Sequence, residues 1–172
     1  MNIKNGFKMK RIIVIGPNGS GKSELSRKLG DILELPLYHL DNIWWKEDKT
    51  HISRDEFDSI LSNILKEDEW IIDGDYSRTY ETRIKACDTI ILLDYPLDVC
   101  LNGVASRIGK ERNDIPWVEK ELDHGLVDSI NSWFKEKRPM LLDLLNQYGN
   151  NKNILILKNR DESNTLVKMI SK

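Results

Sequence analysis

The sequence predicts an α/β domain in which a parallel sheet is covered by helices on both faces. Three observations support this fold class. Short apolar runs alternate with segments whose apolar residues recur at helical spacing, which is the pattern of repeated strand–helix units. The runs are rich in isoleucine, leucine and valine without polar alternation, as expected for strands buried on both faces. A glycine-rich loop follows the first run directly.

Length and composition indicate one globular domain. The chain has 172 residues, of which 40% are hydrophobic and 31% are charged, and its formal net charge is −2. This balance does not favour direct DNA binding, although a local basic patch could still provide it. No apolar run approaches the roughly 18 residues that a membrane span needs. We therefore expect neither a membrane protein nor tight, sequence-independent binding of nucleic acid.

The N-terminal residues and the cysteines indicate where the domain begins and in which cellular compartment the protein is expected. Residues 1–9 carry lysines but lack the apolar core of a secretory signal. We expect them to be a poorly ordered extension before a single domain at residues 10–172. Cys87 and Cys100 belong to no CxxC pattern, which indicates two reduced thiols rather than a disulfide or a metal site. A cytoplasmic location is expected.

The first half of the chain contains three predicted strands and two helices. One helix begins with Ser53, which opens a capping box with Glu56 three residues later. In a capping box the serine oxygen accepts from the amide of the glutamate, whose side chain reaches back. The predicted elements are a strand at 12–15, a helix at 25–33, a strand at 37–40 ending at Asp41, the capped helix with its apolar face at 57–65, and a strand at 70–72.

The second half continues the alternation and contains a proline inside a long helical region. Proline can start a helix as its first residue, so Pro139 marks a boundary between two helices. The predicted elements are a strand at 89–93, a helix at 97–108, a charged irregular stretch at 107–116, a helical region through 126–134, a strand at 154–157 and a closing helix at 166–170.

One segment carries a specific signal for phosphate binding. Residues 16–23 read G-P-N-G-S-G-K-S, which matches the pattern G-x-x-x-x-G-K-[ST] at every fixed position. Glycines let backbone amides curl around phosphate oxygens, and the following helix directs its N-terminal dipole at the same anion. Lys22 can neutralise the β- and γ-phosphates, and Ser23 can ligate Mg²⁺. We predict that ATP and Mg²⁺ bind at Gly16, Pro17, Asn18, Gly19, Ser20, Gly21, Lys22, Ser23 and Glu24.

Carboxylates follow the predicted strands at the edge where a parallel sheet binds its ligands. Asp41, Asp73, Asp75 and Asp94 each come after an apolar run. Such a carboxylate can hold Mg²⁺ through water or accept a proton from an attacking hydroxyl; the alternative is a helix cap or a turn. We expect Mg²⁺ at Ser23, with Asp73 acting through water and Asp94 as the second choice. Asp41 and Asp75 are expected to contact the phosphoryl acceptor.

Several motifs resemble those of adenylate kinases. Residues 73–79 read D-G-D-Y-S-R-T, similar to the adenylate kinase segment D-G-F-P-R-T with one residue more, and residues 93–96 read L-D-Y-P, similar to the L-D-x-P segment before the lid. Taken whole, the chain is most similar to the adenylate-kinase-related proteins labelled DNA topology modulation proteins. This resemblance covers about residues 10–160 and also includes the phosphate loop, Tyr38-His39-Leu40-Asp41 with Trp45, residues 70–74, residues 107–110 and residues 114–117.

The resemblance implies a three-layer P-loop NTPase fold of the nucleoside-monophosphate-kinase type. The sheet would have five parallel strands in the order 2-3-1-4-5, with helices on both faces, a short lid at about 107–124 and an acceptor-side helical segment at about 42–69. ATP would be the phosphoryl donor, whereas the acceptor is not implied. Two departures weaken AMP as the acceptor. Asp75 replaces the usual phenylalanine, and Gly103 stands where adenylate kinases usually carry an arginine that stacks on adenine.

Arginines are candidates for the positive charge that phosphoryl transfer needs. Arg107 and Arg112 flank the charged stretch that is expected to close over the nucleotide. Arg78 and Arg83 follow the third strand, where a planar guanidinium could bind an acceptor anion. Each of these four could instead be a solvated surface residue.

Other residues leave two interpretations open. Trp44 and Trp45 could stack on a base or sugar, or they could cover the capped helix. His39 alternates with apolar neighbours, which favours a hydrogen-bonded structural histidine over a catalytic one. By resemblance alone, Asn159 and Arg160 lie where related kinases surround adenine.

The predicted function is a small-molecule kinase that transfers the γ-phosphoryl group of ATP. Its catalytic residues would be Lys22, Arg107, Asp41 and Arg112. The alternative is a nucleotide-dependent regulatory or DNA-topology-modulating protein that forms no phosphorylated product. A GTPase is disfavoured because no N-K-x-D guanine-reading segment follows a strand, and the nearest segment, at 159–161, reads N-R-D.

Overall fold

The structure, a computed structural model, describes residues 9–122 and 124–171. The extension expected at residues 1–9 lies outside these ranges except for Met9. Strands and helices alternate as the apolar pattern predicts. The strands are β1 (Arg11–Ile15), β2 (Leu37–His39), β3 (Trp70–Asp73), β4 (Thr89–Leu93) and β5 (Asn153–Leu157). The helices are α1 (Lys22–Leu33), α2 (Leu40–Trp44), α3 (Arg54–Ile64), α4 (Tyr80–Ala86), α5 (Leu97–Ala105), α6 (His124–Ser132), α7 (Arg138–Tyr148) and α8 (Arg160–Ile170).

The five strands form one parallel sheet in the order β2-β3-β1-β4-β5. The central strand β1 pairs with β3, where Val14 lies opposite Asp73, and with β4, where Val14 lies opposite Ile91. Because all strands run the same way, their carboxyl ends lie along one edge, where open α/β sheets bind ligands. The predicted fold class and strand order are confirmed.

Alternate side chains of each strand enter different hydrophobic cores, because successive residues of a strand point to opposite faces. Ile13 and Ile72 pack in one core with α3, α4 and α7. Ile12 and Ile71 pack in the other with α1, α5 and α8. The sheet is therefore buried on both faces, which explains why its strands are apolar throughout.

Two local features differ from the sequence prediction. The second strand ends at His39, and the short helix α2 begins at Leu40, so Asp41 lies on a helical turn. Pro139 lies in the first turn of α7, as predicted, but the chain does not leave the helical conformation before it. A π-helical turn at Trp133–Lys137 joins α6 to α7. Proline clashes with the preceding turn of a regular helix, and a wider turn accommodates it.

The helices are short and bury one face each. In α3 the predicted serine cap is confirmed, since Ser53 Oγ accepts from the Glu56 amide at 3.1 Å. Phe57 and Leu61 of this helix are buried, whereas Ile60 is exposed. Within the described ranges, no helix is both long and apolar enough to cross a membrane.

Candidate active site

The phosphate loop, residues 16–23, connects the central strand to α1 at the carboxyl edge of the sheet. Helix α1 begins at Lys22, whose ammonium group donates to the Pro17 carbonyl at 3.0 Å. Ser20 Oγ donates to the same carbonyl at 2.9 Å. Burial lowers the pKa of Lys22, and three nearby carboxylates act in the opposite direction. The loop therefore places one ammonium group and a helix N-terminus beside a single cleft, as anion binding requires.

Helix α5 packs directly against the phosphate loop. Gly19 has a φ of 81°, and a Cβ atom there would lie 1.9 Å from the carbonyl oxygen of Cys100. A Cβ atom on Gly103 would lie 2.1 Å from the carbonyl oxygen of Gly19. Glycine is therefore needed on both sides of this contact. A side chain at position 103, such as the arginine expected from adenylate kinases, would collide with the loop.

Ser23 and Asp73 bring two oxygen ligands to the cleft beside the loop. Asp73 ends β3, and its Oδ1 lies 2.8 Å from His39 Nδ1. Its Oδ2 is buried without a hydrogen-bond partner among the described residues. A hydroxyl and an unpartnered carboxylate oxygen suit Mg²⁺ or the water bound to it, so these residues fit the predicted metal site. The same pairing shows that His39 is hydrogen-bonded, as predicted.

Asp94, the second predicted magnesium ligand, is engaged in a different interaction. Its oxygens accept from Arg138 Nε and Nη2 at 2.7 and 2.8 Å, and Oδ2 also accepts from Lys158 at 2.5 Å. The carboxylate is 5% exposed. The hydrogen bond from Arg138 holds the pKa of Asp94 below its ordinary value, against the effect of burial. We therefore correct the predicted metal role of Asp94. Its carboxylate instead links the end of β4 to α7 through Arg138 and to the end of β5 through Lys158.

Asp41 lies at the junction between the nucleotide cleft and a second groove, and it lines both. Its Oδ1 accepts a hydrogen bond from the Tyr76 hydroxyl at 2.8 Å. Burial raises the pKa of Asp41 above its ordinary value, while Tyr76 and the charge of Lys22 act in the opposite direction. A carboxylate in this position can accept a proton from a hydroxyl group that enters from the groove.

Aromatic rings form one wall of this second groove, which we call the acceptor groove. Trp44 packs edge-on against Phe57 of α3, with ring centroids 5.5 Å apart, and Trp45 packs edge-on against Trp117 at 5.7 Å. Both tryptophans cover neighbouring rings and also line the groove. The complete lining is Asn18, Asp41, Trp44, Trp45, Arg54, Asp75, Tyr76, Ser77, Arg78, Thr79, Ser129 and Lys137.

Asp75 lines the acceptor groove, but its carboxylate already has two partners. It accepts from the Tyr80 hydroxyl and, at 2.5 Å, from Lys137 Nζ of the π-helical turn. The Asp75 side chain is 15% exposed and that of Lys137 is 28% exposed. A molecule that enters the groove would therefore contact the Asp75 carboxylate and the Lys137 ammonium group together.

The two arginines predicted to bind the acceptor have different environments. Arg78 lies at the edge of the groove, where both its Nη atoms donate to the exposed carboxylate of Asp58 at 2.6 and 2.7 Å. Arg83 is fully buried. It donates to Thr79 Oγ1 at 2.9 Å, to the Gly74 carbonyl at 3.0 Å and to the two carbonyls that follow along the chain. The prediction for Arg83 is corrected, since it shapes the loop after β3 and has no exposed surface for a ligand.

The segment predicted as a lid lies beside the phosphate loop, and its arginines are paired with carboxylates. Arg107 lies 2.8 Å from Glu119 Oε2. Arg112 donates to Glu119 at 3.0 Å and through two nitrogens to Asp114. Asp114 in turn accepts from Ser23 Oγ at 2.6 Å. The structure thus brings both predicted lid arginines to the cleft, within a network that reaches the phosphate loop.

The two residues predicted to surround adenine, Asn159 and Arg160, have different positions relative to the cleft. Asn159 caps α8, since its side chain accepts from the Glu162 amide at 2.9 Å. It is not among the described residues that line the cleft. Arg160 does line the cleft, and its guanidinium lies 3.6 Å from Glu24. Only Arg160 is therefore placed to meet a nucleotide through its side chain.

Sequence reasoning missed three residues of this region. Asp114 belongs to a recognised motif, but its partner Ser23 lies 91 residues away. Tyr76 was part of another motif, and only the folded chain places its hydroxyl against Asp41. Lys137 comes from the π-helical turn, whose position the apolar pattern does not indicate.

Comparison with known proteins identifies the fold. No protein-family model matches the chain, and no curated protein matches it. Solved structures do match. The chain is similar to a shikimate kinase from Acinetobacter baumannii in complex with shikimate (TM-score 0.62, 16% identity, covering 95% of this chain and 91% of that one). It is also similar to a shikimate kinase from Aquifex aeolicus (0.57, 20%, 93% and 92%) and to an unliganded sugar kinase from Janibacter sp. HTCC2649 (0.57, 16%, 94% and 92%). At these identities the likeness shows the fold alone.

Proposed function

We propose that this protein is a small-molecule kinase that transfers the γ-phosphoryl group of ATP, with Mg²⁺, to an acceptor in the acceptor groove. The observation that carries the proposal is that Asn18 and Asp41 line both the nucleotide cleft and this groove. An acceptor hydroxyl near Asp41 would therefore face the end of a triphosphate held by the phosphate loop. Phosphoryl transfer depends on such positioning more than on covalent chemistry.

The nucleotide would be held by the phosphate loop, Glu24 and Arg160, with Lys22 neutralising the β- and γ-phosphates. Ser23 and Asp73 would hold Mg²⁺, Asp73 through water. The metal ion would supply positive charge that offsets the charge developing on the transferred group. Arg107 would add to that charge if it exchanged Glu119 for phosphate.

On the acceptor side, Asp41 would orient the attacking hydroxyl and take its proton. Asp75, together with Lys137, and Arg78 at the groove edge would bind other polar groups of the acceptor. We propose that residues 10–172 act as a single domain, with a lid at about 107–124 and an acceptor-side segment at about 42–69. We also propose, from the motifs quoted above, that the protein belongs to the DNA topology modulation family. A cytoplasmic location agrees with two free cysteines, Cys87 and Cys100, both buried.

The proposal is tested by incubating the protein with Mg·ATP and a panel of acceptors. Hydroxylated carboxylates and sugars come first, because the similar structures include a shikimate complex and a sugar kinase, followed by nucleosides and nucleotides. Mass spectrometry should detect one product heavier by a phosphoryl group. Once an acceptor is found, Lys22→Ala should lower the turnover rate by roughly 100-fold or more and Asp41→Asn by roughly 100-fold or more.

The matched control is Asp31→Asn, which removes one carboxylate from an exposed position on α1 and should leave turnover unchanged. If ATP binds but no compound of a broad panel is phosphorylated, the kinase proposal fails. A nucleotide-dependent regulatory role would then take its place, and a salt titration of DNA affinity would test direct DNA binding. A DNA ligand requires a steep loss of affinity with salt.

A further inference from the structure

The phosphate loop and the lid segment are joined by a hydrogen bond between Ser23 and Asp114, which the proposed reaction does not use. Ser23 Oγ donates to Asp114 Oδ2 at 2.6 Å. The Asp114 side chain is 8% exposed, and the contact is partly buried at the wall of the cleft. Short hydrogen bonds from a neutral hydroxyl to a carboxylate are stronger than neutral ones. The proposed magnesium ligand Ser23 is therefore held by a carboxylate from a distant segment.

Arg112 fixes this carboxylate in place. It donates to Asp114 Oδ1 from Nε at 3.0 Å and to Oδ2 from Nη2 at 2.5 Å. Its remaining Nη1 donates to Glu119, which also pairs with Arg107. A bidentate guanidinium–carboxylate pair has a defined geometry, so the direction of the Ser23 hydroxyl proton is defined as well.

A serine hydroxyl has one proton to donate and two lone pairs to offer. When its oxygen ligates a cation, a lone pair must face the cation and the proton must point elsewhere. Asp114 accepts that proton at a fixed place. We propose that Asp114 is a positioning residue for the magnesium site, which acts by holding the Ser23 hydroxyl with its lone pairs toward the metal position.

This inference rests on the proposed function and adds a link between metal and lid. Asp114 and Arg112 belong to the lid segment, so Ser23 is oriented only while that segment lies against the phosphate loop. Metal affinity and lid position are then coupled. Arg112 acts through Asp114 in this arrangement, whereas the sequence analysis named it as a catalytic residue.

The test measures nucleotide binding by calorimetry, with an unhydrolysable ATP analogue, once with excess Mg²⁺ and once with EDTA. The amide of Asp114→Asn is a weaker acceptor, so the variant should lose roughly 10- to 100-fold in affinity with Mg²⁺, the range found for residues that orient metal ligands. Its affinity in EDTA should stay within about twofold of the wild type. The control Glu121→Gln removes an exposed carboxylate of the same segment and should change neither affinity.

A second set of variants separates positioning from general support of the lid. In a Ser23→Ala background, Asp114→Asn should have almost no further effect with Mg²⁺, because the hydroxyl it orients is gone. Arg112→Gln should reproduce part of the loss, which keeps the test usable if Asp114→Asn unfolds, as judged from the urea midpoint.

Equal losses with Mg²⁺ and with EDTA would overturn the inference, because they would mean that Asp114 only supports the lid. Tighter binding of the Mg²⁺ complex by Asp114→Asn would also overturn it, because Asp114 would then compete with the metal for Ser23. No acceptor enters these measurements, so they stand apart from the panel assay. A wild type that binds the Mg²⁺ complex but phosphorylates nothing would contradict the kinase proposal alone.

Discussion

At the scale of single residues, Arg78 and Arg83 look equivalent in the sequence and have opposite environments in the fold. Arg83 is fully buried and satisfies the carbonyls of the loop after β3. Replacing it with methionine removes the guanidinium donor from the Gly74 and Asp75 carbonyls, whereas the Tyr76 carbonyl still accepts from Thr79. The free energy of unfolding should fall by roughly 3 kcal/mol. Arg78→Ala breaks an exposed pair with Asp58 and should cost no more than about 1 kcal/mol. Urea unfolding of both variants would check this, and equal losses would contradict the assignment.

The environment of Asp94 predicts a pH-dependent contribution to stability. Its pKa is lowered in the folded protein, chiefly by the hydrogen bond from Arg138. A lowered folded pKa means that the stabilisation is complete above the unfolded pKa, about 3.9, and is lost as the pH falls through the folded value. Asp94→Asn should therefore destabilise the protein by roughly 2 kcal/mol at pH 7.

The loss caused by Asp94→Asn should be smaller when urea midpoints are compared at pH 3. A loss of the same size at both pH values would show that the charge of Asp94 is not what stabilises the ends of β4, α7 and β5. Asp31→Asn, at its exposed position, serves as the control at each pH.

At the scale of elements, α5 and the phosphate loop pack so closely that there is no room for a side chain at position 103. Gly103→Ala would place a Cβ atom 2.1 Å from the Gly19 carbonyl oxygen, so the loop or the helix must move. Alanine favours a helix over glycine by about 1 kcal/mol, which partly offsets the strain in stability but not in loop position. We expect nucleotide affinity to fall roughly tenfold or more, which corresponds to about 1.4 kcal/mol.

Calorimetry with the ATP analogue would measure the effect of Gly103→Ala. The control is Asn102→Ala, at the exposed neighbouring position of α5. It raises helix propensity without placing a Cβ atom against the Gly19 carbonyl, so its affinity for the ATP analogue should be unchanged. Unchanged binding by the glycine variant would mean that the phosphate loop tolerates displacement.

The elements themselves were largely predictable from the sequence. Each apolar run became a strand and Ser53 became a cap, because periodicity and capping are local properties. The π-helical turn was not predictable, since Pro139 signals a disturbance without specifying whether the chain breaks or widens. The pairing of Asp94 with Arg138 and Lys158 joins residues 44 and 64 positions apart, and no local pattern reports it. The phosphate loop could be predicted because one contiguous segment carries it.

At the scale of the whole molecule, the lid segment and the acceptor-side segment contact each other directly. Asn42 Nδ2 donates to the Asn113 carbonyl at 2.8 Å, and Trp45 packs edge-on against Trp117. An edge-to-face pair of this kind contributes about 0.5–1.5 kcal/mol beyond burial. Trp117→Ala should therefore shift the lid toward open conformations without unfolding the protein.

Limited trypsin digestion followed by mass spectrometry would measure that shift. Cleavage after the exposed Lys110 and Lys120 should become severalfold faster in Trp117→Ala, and the Mg²⁺ complex of the ATP analogue should slow it in the wild type. Cleavage after Lys66, exposed beyond the end of α3, is the internal reference. Unchanged rates at both lid sites would show that the aromatic contact does not hold the segment.

The ion pair between Arg107 and Glu119 also affects how strongly the cleft binds a triphosphate compared with inorganic phosphate or sulfate. Before a phosphate group can recruit this guanidinium, it has to replace a carboxylate that is already in place. A triphosphate would be held by several other groups while Arg107 exchanges Glu119 for phosphate. Those contacts would offset the loss of the Arg107–Glu119 ion pair. Inorganic phosphate or sulfate, small and held by the loop alone, has no such compensation. We therefore expect the pairing with Glu119 to reduce the contribution of Arg107 to the binding of small anions more than to that of a triphosphate.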